Sequence, residues 1–148
     1  MIKCSKKYVV SGNHDFYLGY DIFKQFVFNI NFKLLDFDSE LIFRPDQKNI
    51  KVLGLPDDAT TGSRIDSFFN DRIDDAVSVY HILFRDKPIC FKQSVDQVIQ
   101  LQLSGHTHHG QLPAFNVLVR FFFRFSHGFY RYKEGVIYTS PGTSTWVL

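Results

Sequence analysis

Four of the six histidines in this 148-residue chain stand in two short polar strings, Gly12-Asn13-His14-Asp15 and Gly105-His106-Thr107-His108-His109. An H-x-H spacing on an irregular turn brings two imidazoles close enough to face one metal ion, or two neighbouring ones. Gly105 and Gly110 flank that string and let the backbone bend without a Cβ clash. Asn13 offers a neutral carboxamide oxygen, a suitable ligand for a hard divalent ion where another carboxylate would add too much negative charge. His14 beside it can donate a proton or stabilise charge instead of ligating. Each string taken alone also reads as an ordinary polar turn. Together, each behind an apolar strand, they mark a site.

The elements that must hold these strings follow from hydrophobic spacing. Tyr8-Val9-Val10 is a short strand running into Ser11-Gly12. Asp21 to Phe32 carries apolar residues at 22, 23, 26, 27 and 30, a helical spacing. Lys33 to Phe37, Leu41 to Phe43 and Lys51 to Gly54 read as strands, the last two joined by the turn Arg44 to Asn49. Arg64 to Ala76 is an amphipathic helix with Ile65, Phe68, Phe69, Arg72 and Ile73 along one side. Val77 to Phe84 is near-continuously apolar, as in a strand buried on both faces. A short helix around Phe91 to Val98 and a strand from Ile99 to Ser104 lead into the second string. Ala114 to Phe125 reads weakly as a helix, and Phe129 to Lys133 with Val136 to Ser140 as a hairpin turning at Glu134-Gly135. Strands and helices alternate, which predicts an α/β fold in which strand-end loops carry the site.

Composition narrows the function classes. Hydrophobic residues make up 45% and aromatics 17%, with 17 Phe, which excludes a disordered chain. A formal net charge of +2 gives no electrostatic case for nucleic acid, and none is expected as a partner. The acids divide into 13 Asp and 2 Glu, a bias toward turns, caps and metal sites. Cys4 and Cys90 form no disulfide framework and no CxxC pair, as expected of a reducing compartment. No signal peptide is visible, and no stretch approaches the roughly 18 uninterrupted apolar residues of a membrane span. The expected location is cytoplasmic, or peripheral at the cytoplasmic membrane.

Val9-Val10-Ser11-Gly12-Asn13-His14-Asp15 and Leu103-Ser104-Gly105-His106-Thr107-His108-His109-Gly110-Gln111-Leu112 resemble the GNH(D/E) and GHxH motifs of calcineurin-like metallophosphoesterases. The SGHTHHGQL block after a strand, and the segment Thr139 to Trp146, are similar to the bacterial membrane-associated branch of that superfamily. Leu55-Pro56-Asp57-Asp58 is similar to the branch's mid-domain G-x-D-D loop, and reads equally well as a plain aspartate turn. The resemblance spans almost the whole chain but only the second half of the family's domain, because the opening D-x-H and GDxxD motifs do not occur. It implies a partial phosphoesterase domain over 1–148, part of a layered α-β-β-α sandwich, cut at the N-terminus and slightly at the C-terminus.

In that family two divalent metals (Mn, Zn, Fe or similar) are bridged by an aspartate and a hydroxide that attacks phosphorus. Carried over by motif position, Asn13 and His106 hold the second metal and His108 the first, with the dinuclear centre incomplete in this chain. His14 stands over the phosphate as the catalytic residue, and Asp15 fixes the loop as a hydrogen-bond acceptor. The family's ligand in its "I-L-L-x-H-x-P" pattern falls at Asp86 of Ile82-Leu83-Phe84-Arg85-Asp86-Lys87-Pro88. Aspartate binds the same hard ions, so the change either alters metal preference or marks a degenerate site. His81, inside its strand, reads as structural. Arg85 and His109 are the substrate contacts suggested, with a solvated strand-end arginine as the alternative for Arg85.

The expected activity is metal-dependent hydrolysis of a phosphoester, with a lipid-linked phosphate or pyrophosphate such as UDP-2,3-diacylglucosamine as the substrate the branch suggests. Two other classes compete: a non-catalytic interaction module keeping the fold, and a mononuclear zinc module on His106 and His108. The Phe-rich run Val117 to Phe125, with Arg120 and Arg124, reads as a core helix or as a peripheral membrane contact.

Overall fold

The computed structural model describes residues 6–45, 47–57, 63–73, 79–106 and 124–141. Eight strands and four helices appear among them, in the order β1 (Tyr8–Val9), α1 (Asn13–Leu18), α2 (Tyr20–Asn29), β2 (Lys33–Leu34), β3 (Asp38–Ile42), β4 (Asn49–Leu55), α3 (Ser63–Arg72), β5 (Val79–Arg85), α4 (Phe91–Asp96), β6 (Leu101–Ser104), β7 (Gly128–Tyr132) and β8 (Gly135–Thr139). β1 and β2 form a small parallel sheet, and the other six strands form a sheet ordered β3-β4-β5-β6-β8-β7. Its four central strands are parallel, while β3 and β7 run antiparallel at the edges.

Residues paired across parallel strands share a face. Leu53, Leu83, Gln102 and Ile137 therefore form one row, and all four are fully buried. Helix α3 covers this face, with Ile65, Phe68 and Phe69 packed on Leu53, Leu55 and Leu83. Each such side chain contributes roughly 1.5–3 kcal/mol on burial. Helix α4 lies on the same side, tied to α3 by the Gln93 side-chain amide donating to Asp66 at 3.3 Å. The buried Gln102 amide nitrogen donates there to the Ile89 carbonyl at 3.3 Å and to Ser104 Oγ at 3.2 Å, while its Oε1 accepts no hydrogen bond.

The opposite face meets the small sheet, with α1 and α2 beyond it. The layering is the α-β-β-α order expected from the sequence. The two sheets approach closely at Gly54 of β4. A Cβ placed there would lie 2.2 Å from the Leu35 carbonyl oxygen and 2.8 Å from Val10 Cγ1. Only a hydrogen fits. A charged clip closes the edge of this junction, where Glu40 of β3 accepts from Lys6 at 2.5 Å and from Lys33 of β2 at 2.9 Å. The two ammonium groups hold the Glu40 carboxyl at about 2, against an ordinary value of 4.5.

Several elements differ from the sequence expectation. β5 alternates: His81, Leu83 and Arg85 are buried while Tyr80 is exposed, so it is not buried uniformly on both faces. The hairpin turns at Lys133-Glu134, since Tyr132 pairs with Gly135, one residue earlier than expected. Helix α2 buries Val27 but exposes Ile22, Phe26 and Phe28. The run Ala114 to Phe123 lies outside the described residues. No helix among the described residues is long and apolar enough to cross a membrane.

Two predictions follow from the sheet junction. Gly54→Ala should destabilise by at least about 2–3 kcal/mol, because a backbone oxygen cannot rotate away from the new methyl group. Gly105→Ala should stay within about 0.5 kcal/mol, since nothing lies within 4 Å of a Cβ there. Urea midpoints of the two variants check both. For the clip, the depressed Glu40 carboxyl gives stability that is present above its ordinary value and lost as pH falls through about 2. The stability advantage of the native chain over Glu40→Gln should thus be constant above pH 5 and shrink between about pH 4.5 and 2. Added salt should reduce it at neutral pH, because both lysines are partly solvated.

Candidate metal site

Four loops meet at the C-terminal ends of the strands: Val10 to Gly12 after β1, Pro56-Asp57 after β4, Asp86-Lys87 after β5, and Gly105-His106 after β6. In open parallel sheets this is the edge where sites assemble, because the backbone there is free of pairing duty. The loops are held in register by their own backbone. Asp57 N–H donates to the Ser11 carbonyl at 3.1 Å, and Gly105 N–H to the Asp86 carbonyl at 2.9 Å.

The first loop is fixed by carboxylates. Asp36 accepts from Ser11 N–H at 2.9 Å, from Ser11 Oγ at 2.6 Å and from the Tyr20 hydroxyl at 2.8 Å. Asp15 accepts from Gly12 N–H at 2.7 Å, capping α1 as the loop-fixing acceptor expected of it. Burial raises the Asp15 carboxyl above its ordinary value; the Gly12 hydrogen bond opposes this, and the charges of Asp86 and Asp36 add to it.

One ligand atom from each of Asp57, Asp86 and His106 lies within 4.8 Å of the other two. That span suits a divalent ion with bonds of about 2.0–2.4 Å, and two carboxylates with an imidazole form a donor set for first-row metals. His106 Nδ1 sits 2.8 Å from Asp86 Oδ2, with the His106 backbone in the left-handed region at φ 67. Asp57 is only 8% exposed and accepts from the Lys87 ammonium at 2.8 Å through Oδ2. Its Oδ1 is buried and accepts no hydrogen bond. A buried carboxylate oxygen without a donor is costly, and a cation ligand would satisfy it. The donor set therefore fits a metal ion. It is the only such cluster among the described residues.

Of the residues singled out from sequence, the structure brings Asp86 and His106 together. Gly12 lies against them, since a Cβ on it would stand 3.2 Å from the Asp86 carboxylate. Asn13 is half-buried as the first residue of α1, so the GNHD string enters a helix and not a free loop. His14 is exposed, its ring edge-on to Tyr17 at 6.0 Å. His108 and His109 lie outside the described residues. Arg85 is not the solvated strand-end arginine considered above. It is 2% exposed, paired in register with Leu55 on the α3 face. Burial lowers the Arg85 guanidinium below its ordinary value, partly offset by Cys90 and Asp57. His81 is buried within β5, in keeping with a structural role.

Asp57 is the residue the sequence reading left out of the ligand set. Its signal is positional: it follows Leu53-Gly54-Leu55, an apolar strand ending in a polar loop, as Asp86 and His106 follow theirs.

No family model matches the chain, and no solved structure does. Two curated proteins are similar over nearly its full length. A "Transmembrane protein with metallophosphoesterase domain" of Danio rerio is 30% identical over 148 residues, covering 92% of this chain and 33% of that protein. An "Uncharacterized metallophosphoesterase" of Helicobacter pylori is 28% identical over 146 residues, covering 94% of this chain and 37% of that one. The chain thus spans about a third of the length of the curated relatives it matches. A layered α/β fold, a three-ligand cluster at its strand ends and two relatives named for one activity agree on a likeness to metallophosphoesterases at the level of the superfamily.

Proposed function

We propose that the chain forms the metal-binding part of a calcineurin-like phosphoester hydrolase. The observation that carries this is the Asp57–Asp86–His106 cluster, with its unpartnered buried Asp57 oxygen, on the strand ends that the GNHD and GHTH strings follow. A divalent ion held there supplies charge stabilisation at phosphoryl oxygens and makes water nucleophilic near neutral pH. The chain's own contribution is positioning. Asp36 and Asp15 lock the loop that presents Asn13 and His14. Asp86 and Gly105 lock the turn that presents His106.

The finer reading is a dinuclear centre. Asn13 would join the ion at His106, His108 would hold the other ion, and His14 would act on the phosphate oxygens. His109 remains the candidate substrate contact. The core position of Arg85 makes it a supporting cation beneath Asp57 instead. A lipid-linked phosphate or pyrophosphate such as UDP-2,3-diacylglucosamine belongs to the same proposal and rests on the resemblance of the SGHTHHGQL block, and peripheral membrane contact through Val117 to Phe125 rests on that run's Phe residues with Arg120 and Arg124. Exposed Ile22, Phe26 and Phe28 on α2 favour a second reading, a non-catalytic module that binds a partner.

Metal titration and turnover of an aryl phosphodiester separate the two. The chain should bind Mn²⁺ or Zn²⁺, with Asp86→Asn and His106→Ala each weakening affinity by at least about tenfold. Turnover should require the metal and fall in both variants. Turnover of the lipid-linked pyrophosphate above that of the aryl ester would support the substrate reading. A well-folded chain that neither binds metal nor turns over either ester would sink the hydrolase proposal in favour of the module.

A further inference from the structure

The cluster already holds a cation of its own. The Lys87 ammonium lies 2.8 Å from Asp57 Oδ2, and its side chain is 28% exposed against 8% for the carboxylate it meets. Lys87 follows Asp86 directly, so one loop supplies both a candidate ligand and the positive charge that pairs with another. A divalent ion in the cluster would stand a few ångströms from the ammonium that already occupies Asp57 Oδ2, in a half-buried space where like charges repel far more than in water.

We propose that Lys87 is an internal counter-cation of the metal site, bound to Asp57 in the empty state and displaced when a divalent ion enters. This rests on the hydrolase reading and adds to it a device that sets metal affinity. The exchange is a simple one. The Lys87–Asp57 ion pair breaks, Asp57 contacts the incoming ion, and the ammonium keeps its protons and swings out through its exposed side. The lysine stem has the rotatable bonds for that movement, and its partial exposure gives it a path to solvent. In the empty protein the same lysine spares Asp57 from being a buried, unpaired charge, so the site stays folded without metal.

Two measurements on the full chain test this. In the first, calorimetric titration with Mn²⁺ compares the native chain, Lys87→Met and Lys87→Arg. Lys87→Met should bind about tenfold or more tightly, while Lys87→Arg, which keeps the charge, stays near the native value. Without metal, Lys87→Met should melt at a lower temperature than the native chain, and Mn²⁺ should raise its melting temperature by more. In the second, which needs no variant to fold, acetylation of Lys87 in the native chain is followed by mass spectrometry. Saturating Mn²⁺ should speed it several-fold over the other lysines. Equal Mn²⁺ affinity in all three chains, with an unchanged Lys87 acetylation rate, overturns the counter-cation role and leaves the hydrolase reading standing. No Mn²⁺ binding in any chain overturns both.

Discussion

The structure depends on how closely its two sheets approach at Gly54. Sheets packed face to face ordinarily stand about 10 Å apart, with side chains from both filling the gap. At Gly54 the gap closes until the Leu35 carbonyl oxygen would stand only 2.2 Å from a Cβ on that residue. That approach carries β1 down onto the ends of β4 and β5. It lets Asp57 N–H reach the Ser11 carbonyl and sets Gly12 against Asp86. Gly12 then repeats the device at the site itself. Two positions without side chains bring the GNHD string into range of ligands contributed by the other sheet.

Electrostatics around the site follow from the same closeness. Asp15, Asp36, Asp57 and Asp86 converge because several loops end together, and each finds a different settlement. Asp36 and Asp15 are held by hydroxyl and backbone N–H donors. Asp57 takes a lysine and Asp86 an imidazole. Asp57 and Asp86 pair with side chains that a metal ion could replace, whereas Asp36 and Asp15 are bonded to Ser11, Gly12 and the Tyr20 hydroxyl of α2. The chemistry of the partners, more than the presence of carboxylates, separates candidate ligands from scaffold here.

Much of this was legible in the residues. The strand-then-polar-string pattern points to β1 and β6, and the motif positions pick out His106 and Asp86, which the fold brings together in the candidate cluster. Asp57 was harder, because Leu55-Pro56-Asp57-Asp58 has the composition of any aspartate turn and only three-dimensional convergence distinguishes it. Arg85 was misjudged for a related reason. Next to Asp86 and Lys87 it reads as part of a solvated strand end, but the period of two in β5 places it under Leu55 beside Leu83, on the covered face. Helix α2 forms where the apolar spacing predicts a helix, yet it buries Val27 and leaves Ile22 and Phe26 exposed, because spacing specifies a face and not what covers it.

The central claim is that Asp57, Asp86 and His106 hold a divalent ion. The most direct measurement is the anomalous difference map of a crystal of this chain soaked in Mn²⁺. A peak is expected about 2.0–2.4 Å from a ligand atom of each of the three residues, with the Lys87 ammonium moved away from Asp57. A map with no peak between them at saturating Mn²⁺, and Lys87 still paired with Asp57, would contradict it.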